Sequence, residues 1–153
     1  MAVEFQTAVR RDLESLVGLV RQYYEYDGHP FEESKARDAL AGLLADQQLG
    51  RIWVFRDGAD IVGYLALTFG YSIEFGGRDA FIDEFFLLEP YRGRGIGHGA
   101  IETIAKETER LGVRAIHLEA VRGNDRAVAL YRRSGFVDHD RYLLSRVLKT
   151  RSK

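Results

Sequence analysis

Glu89-Pro90-Tyr91-Arg92-Gly93-Arg94-Gly95-Ile96-Gly97-His98-Gly99-Ala100 carries the strongest local signal in this chain. Glycine stands at 93, 95, 97 and 99, every second position, with Arg92 and Arg94 set among them. Upstream, Ala80 to Leu88 is an aromatic and aliphatic run that reads as a buried central strand. Downstream, a helical pattern continues to about Leu111 and ends at Gly112, a left-handed cap. Strand, glycine loop and helix N-terminus in that order make an anion site. Unpaired backbone N–H groups and the positive end of the helix dipole converge there on phosphate oxygens. Glycine lets the main chain approach such a ligand with no Cβ in the way. A tight turn that needs small residues explains one or two of these glycines, but not four of them among arginines.

Two common phosphate sites fit poorly. Gly95-x-Gly97-x-x-Ala100 formally satisfies the dinucleotide fingerprint, and Glu119 lies near the place of a ribose-binding acid. A doubly wound domain, however, needs further strand–helix units after the loop, and only 33 residues follow Ala120. A P-loop is excluded more simply, because no Gly-Lys-Ser/Thr follows the glycines.

Outward from the loop, the remaining chain alternates strand and helix signals. Val3 to Val9 reads as a first strand, and Asp12 opens a helix with Leu13, Leu16, Val17, Val20 and Tyr24 on one face. Asp27-Gly28-His29-Pro30 breaks that helix, and a second follows with Ala36, Leu40, Leu43 and Leu44 together. Arg51 to Phe55 and Ile61 to Phe69 form a hairpin about Asp57-Gly58. After the loop and its helix come a strand at Val113 to Ala120, a helix from Asn124 to Ser134 closed by Gly135, and a last strand at Arg141 to Leu148. The expected fold is α/β in the α+β sense: one domain over residues 1–153, a mixed and mostly antiparallel sheet, helices on both faces.

Three segments of this chain resemble one family. Arg92-x-x-Gly95-x-Gly97 is similar to the pyrophosphate loop of the GNAT superfamily of N-acetyltransferases. Asn124-Asp125-Arg126-Ala127-Val128-Ala129-Leu130-Tyr131-Arg132-Arg133-Ser134-Gly135-Phe136 resembles its second signature, N-x-x-A-x-x-x-Y-x-x-x-G-F. Ile82-Asp83-Glu84-Phe85-Phe86-Leu87 with Tyr91-Arg92-Gly93 resembles the fourth strand of the spermidine/spermine branch. The element order matches from residue 3 to 148, so the likeness covers nearly the whole chain.

The resemblance implies an acetyl-CoA-dependent N-acetyltransferase with the GNAT acyl-CoA N-acyltransferase fold. Acetyl would pass to a primary amine of a small cationic molecule by direct transfer in a ternary complex. The alternatives are a protein (lysine or N-terminal) acetyltransferase and a non-catalytic acyl-CoA-binding module on the same fold. The acetyl-CoA site it implies comprises Phe85, Phe86, Leu87, Arg92, Gly93, Arg94, Gly95, Ile96, Gly97, His98, Gly99, Asn124 and Tyr131. Backbone groups around Phe85 and Leu87 would meet the acetyl and pantetheine portion on a strand splayed from its neighbour. The side chains of Phe85, Phe86 and Leu87 then belong to the core, and His98 contributes its backbone.

An amine with a lysine-like pKa of about 10.4 is protonated at neutral pH, so a base must act before or during attack. Asp83 and Glu84 sit on the central strand, where a carboxylate is costly without a purpose. Strict alternation puts them on opposite faces, so only one would point at substrate. Either serves as base, or pairs with an arginine while the proton leaves through water. Tyr131 is the candidate at the sulfur end, two helical turns after Asn124, which stands at an N-cap position. A phenol of pKa about 10 is a weaker acid than a thiol of about 8.5. Tyr131 is therefore expected to stabilise the leaving thiolate by a hydrogen bond, with the released amine proton helping net delivery. Tyr24 and Glu25, within Tyr23-Tyr24-Glu25-Tyr26-Asp27, are the expected acceptor-binding residues.

Bulk composition fits this picture. The chain has 153 residues, no cysteine and a formal charge of −1, which disfavours a nucleic-acid partner. Residues 122–153 hold nine Lys and Arg against three Asp and Glu, leaving 13 against 20 in residues 1–121: +6 against −7. Absent cysteine excludes an acyl-cysteine intermediate. Histidines at 29, 98, 117 and 139 show no metal spacing, so no metal is expected. The longest apolar run, Ile61 to Phe69, is nine residues where about 20 would cross a bilayer. A cytoplasmic protein without a membrane partner is expected, with homodimerisation open.

Overall fold

The computed structural model describes residues 2–149. Its elements are β1 (Glu4–Thr7), α1 (Leu13–Asp27), α2 (Glu33–Ala45), β2 (Gly50–Asp57), β3 (Asp60–Ser72), β4 (Gly77–Leu87), α3 (Ile96–Arg110), β5 (Ile116–His117) and α4 (Asp125–Arg133). The strands form one sheet in the order β1-β2-β3-β4-β5, antiparallel except for the parallel β4–β5 pair. No helix among the described residues is long and apolar enough to cross a membrane.

Alternation along β2 and β3 sorts their side chains into two cores. Ile52, Val54, Tyr64 and Ala66 meet Leu13, Leu16, Val17, Leu19 and Val20 of α1 and Leu40 of α2. Trp53, Phe55, Leu65 and Leu67 meet Ala100 and Ile104 of α3 on the opposite face. Helices thus cover both faces, as the sequence pattern predicts. Polar groups entering these cores are satisfied: Trp53 Nε1 donates to Glu107 at 2.9 Å, and buried Asp12 accepts from the Val9 amide at 2.8 Å and from Arg56 at 2.7 Å.

Three expectations change. First, β4 carries a bulge: Ala66 pairs with Glu84 and the next residue, Leu67, pairs with Ile82, leaving Asp83 without a partner on β3. The strict alternation expected of Asp83 and Glu84 is broken there, because an inserted residue resets the two-residue period. Second, β5 spans only Ile116–His117, not Val113 to Ala120; it pairs with Ala80 and Phe81 and goes no further. Beyond Phe81 the two strands part, so the half of β4 that carries the bulge has no β5 neighbour. Third, no strand forms at Arg141 to Leu148. Those residues are exposed, and with no neighbouring strand their backbone groups turn to water.

Candidate active site

The bulge places two carboxylates beside the tyrosines of α1. Glu84 is anchored at both oxygens: Tyr24 donates its phenol to one at 2.5 Å, and the buried Tyr64 donates to the other at 2.7 Å. Burial nonetheless raises the Glu84 pKa above the ordinary range, with the two phenols opposing the rise and the Asp83 charge adding to it. Asp83 has no hydrogen-bond partner among the described residues and opens to solvent, while the protein around it also raises its pKa. Tyr23, next along α1, is pushed up to about 12, first by burial and then by the charges of Asp27, Glu84, Tyr131 and Asp83. Tyr24 is raised by burial, by its bond to Glu84 and by the charges of Glu84 and Asp83. Residues from α1, β4 and α4 therefore share one electrostatic neighbourhood.

Tyr131 enters this neighbourhood from α4. Its ring lies 6.4 Å from Phe85 and 6.0 Å from Phe136, and burial raises its phenol pKa. The helix is started by Asn124, whose side chain accepts from the Ala127 amide at 3.3 Å. Phe85 and Phe86 pack as expected: Phe85 lies 6.0 Å from Phe55, and Phe86 lies 5.4 Å from Tyr23.

The glycine loop joins β4 to α3. Gly93 and Gly95 adopt left-handed φ of 72° and 81°, which only glycine takes without strain. The first helical bond of α3 runs from the Gly99 amide to the Gly95 carbonyl, so Ile96, Gly97 and His98 keep free N–H groups. No acidic residue stands in that first turn. Gly97 serves a different purpose: a Cβ there would come within 3.1 Å of Leu130, so the glycine lets α4 pack closely on α3. A guanidinium nitrogen of Arg126 would stand 3.1 Å from a Cβ at Gly93, which puts a cation at the loop. His98 also contributes its side chain, with Nδ1 3.0 Å from the Ser134 hydroxyl.

Arg92 turns away from the loop. Its Nε donates to the Leu87 carbonyl at 2.7 Å, and its guanidinium lies 4.3 Å from the Tyr26 ring centroid. With Glu25, Tyr26, Phe86 and Glu89 it lines a recess of about 380 Å³ between the last turn of α1 and the end of β4. Glu25 therefore joins Arg92, whereas Tyr24 joins Glu84. Sequence reasoning placed Tyr23 only within the aromatic and acidic stretch 23–27, and missed Tyr64 and Arg126 as site residues. Tyr64 gave a signal, a phenol inside an apolar strand that needs a partner when buried, but that partner depends on a register the sequence does not spell out.

A family model described as the acetyltransferase (GNAT) family matches residues 13–136, from the start of α1 to just past α4. The chain belongs to the GNAT acetyltransferase family. This GNAT chain is 35% identical over 81 residues to the uncharacterized N-acetyltransferase YycN of Bacillus subtilis, 53% of this chain and 51% of that one. Over the same length it is 32% identical to the thialysine N-epsilon-acetyltransferase of Bos taurus, covering 47% of it. The chain spans about half the length of the curated relatives it matches. Over most of the fold it resembles an integron cassette protein from the mobile metagenome of Cole Harbour Salt Marsh. There the identity is 36% and the TM-score 0.85, covering 95% of this chain and 91% of the other.

Proposed function

We propose that this GNAT chain transfers acetyl from acetyl-CoA to a primary amine of a small cationic molecule, directly, within a ternary complex. One observation carries the proposal: the β4 bulge brings Asp83 and Glu84, both with raised pKa, to the tyrosines of α1, and of these Tyr23 also feels Tyr131 of α4. A base and a hydrogen-bond donor thus flank one site.

The residues present fit acetyl-CoA. Free amides at Ile96, Gly97 and His98, left-handed glycines and the nearby Arg94 and Arg126 suit its pyrophosphate. Where β4 parts from β5, the backbone around Phe85 and Leu87 has room for the pantetheine arm, although Arg92 already occupies the Leu87 carbonyl. The co-substrate supplies a thioester. The acceptor nitrogen forms the new C–N bond as the C–S bond breaks, so one proton must leave nitrogen and the sulfur must be stabilised. Asp83 is the better base of the two, because both Glu84 oxygens are engaged by phenols and Asp83 is free. A raised carboxyl pKa narrows the gap to the amine and favours proton acceptance. Burial makes Tyr131 a still weaker acid, which suits a donor that hydrogen-bonds the leaving sulfur without losing its proton. Glu25, Asp83 and the α1 tyrosines suit a cationic acceptor.

The relatives support the chemistry: one is named for acetylating thialysine, and a Clostridium acetobutylicum protein of the same fold was solved with acetyl-CoA. A cytoplasmic location and a homodimer complete the proposal. Thiol release from acetyl-CoA is expected with at least one member of an amine panel containing spermidine, lysine and aminoglycosides. Turnover only on a peptide lysine or N-terminus would favour the protein acetyltransferase. CoA binding with no turnover on any amine would leave a non-catalytic module.

A further inference from the structure

The sheet face that carries Glu84 continues well past it. Tyr64, Ala66, Thr68 and Gly70 alternate along a stretch of β3 that carries no inserted residue, so all four lie on one face. Their partners on β4 share that face: Phe86, Glu84, Phe81 and Asp79. On β5, His117 pairs with Phe81 and joins them. The α1 core covers Tyr64 and Ala66, whereas Thr68, Phe81 and His117 are only half-buried. There, with Gly70 and Asp79, they line a recess of about 260 Å³.

Asp79 has charge to offer in that recess. A Cβ at position 70 would stand 2.8 Å from the Asp79 carboxylate, so Gly70 clears the space that this side chain occupies. Among the described residues the ion-pair partner of Asp79 is His117, at 3.2 Å. An imidazole, unlike a guanidinium, is no permanent counter-ion, so the carboxylate keeps charge for a ligand. The His117 ring is in turn held edge-on by Phe75, 4.9 Å away. Phe81 lies between Asp79 and Glu84 on the same face, an apolar floor between two negative poles. Ala66 pairs with Glu84 and Gly70 with Asp79, so the poles stand four β3 residues apart, about 13 Å.

Acid, aromatic and acid in line along one face match a cation at each end of an apolar spacer. Given the acetyl transfer to a cationic amine set out above, we propose that Asp79 and His117 form a distal subsite for a second positive charge of the acceptor. The reacting amine meets Asp83, the spacer crosses Phe81, and the far ammonium stops at Asp79. Acceptors are thereby selected by length, and Asp79, Gly70 and His117 set specificity without touching the reacting atoms. An acceptor with a carboxylate at its far end would meet Asp79 as a like charge and be rejected.

Calorimetry on the CoA-loaded protein reads the subsite without turnover. Affinity is expected to climb through diaminobutane, diaminohexane, diaminooctane and diaminodecane as the chain comes to span both poles. Diaminodecane should bind about tenfold or more tighter than aminodecanol, whose hydroxyl replaces the far ammonium. Asp79→Asn should erase that preference, and so should Gly70→Ala, whose methyl displaces the carboxylate; circular dichroism checks that both variants fold. Equal wild-type affinities for the diamine and the amino alcohol, or a preference that survives in folded Asp79→Asn, overturns the subsite. Thiol release from acetyl-CoA on the same compounds tests the transfer separately. A diamine preference with no thiol release overturns the transfer and keeps the subsite, and thiol release with no diamine preference does the reverse. During turnover the preference should appear in KM rather than kcat, since a charge far from the reacting atoms is bound alike in ground and transition states.

Discussion

Tyr24 and Tyr64 hold one carboxylate and leave its neighbour free, so the two acids are separable by substitution. Asp83→Asn is expected to lower kcat about 10²-fold or more, the usual loss on removing a general base, with little change in acetyl-CoA affinity. The wild-type rate should rise with pH through a carboxyl pKa above the usual range, and the variant should lose that limb. Stability moves the other way. A carboxyl whose folded pKa is raised binds more protons folded than unfolded, so its ionisation costs stability as pH rises from the unfolded to the folded pKa. At neutral pH Asp83→Asn should therefore melt no lower than wild type, and a lower melting temperature would contradict the assignment. Tyr64→Phe strips a donor from half-buried Glu84 and should destabilise by about 1–3 kcal/mol. In urea titrations that loss should shrink as pH falls and Glu84 protonates. Tyr131→Phe should cut turnover at least tenfold while calorimetry finds acetyl-CoA affinity within about twofold, since losing a transition-state interaction lowers kcat and not binding.

At the scale of elements, Asn124 starts α4 with one long hydrogen bond, and Asn124→Ala should cost about 1 kcal/mol, or roughly 2–4 °C in melting temperature. A fall in acetyl-CoA affinity beyond that expected of a looser helix would show that Asn124 also touches the co-substrate. The four α-helices among the described residues were legible because a 3.6-residue period is a local property, and so is the cap that Asn124 gives α4. Leu13, Leu16, Val17 and Val20 announce the buried face of α1 without reference to any other segment. The hairpin at Asp57-Gly58 was legible for the same reason. The bulge at Asp83 was not, because it exists only in the pairing of Ala66 with Glu84 and of Leu67 with Ile82. Likewise the strand signal at Arg141 to Leu148 is sound as a propensity, but a strand needs a neighbour, and among the described residues none pairs with it.

Across the whole molecule, the glycine loop, the α1 tyrosines and α4 meet on the half of β4 from which β5 has parted. The sequence named most of the meeting residues, though not which of them face each other. If that gathering binds CoA, CoA at about 100 times its Kd should stabilise the fold by about 2.7 kcal/mol in thermal melts. NADH should give no shift, as the fold lacks the added strand–helix units of a dinucleotide domain. Arithmetic along β4 bears on how such a site could be lost. Remove Asp83 and Ile82 abuts Glu84, each already on its proper side of the sheet. The ladder would then run unbroken from Gly77 to Leu87, and every core contact could persist. A single codon deletion would thus yield a better-formed sheet with its free acid gone. A descendant could keep this architecture intact while abandoning its chemistry, and fold similarity alone would never reveal the difference.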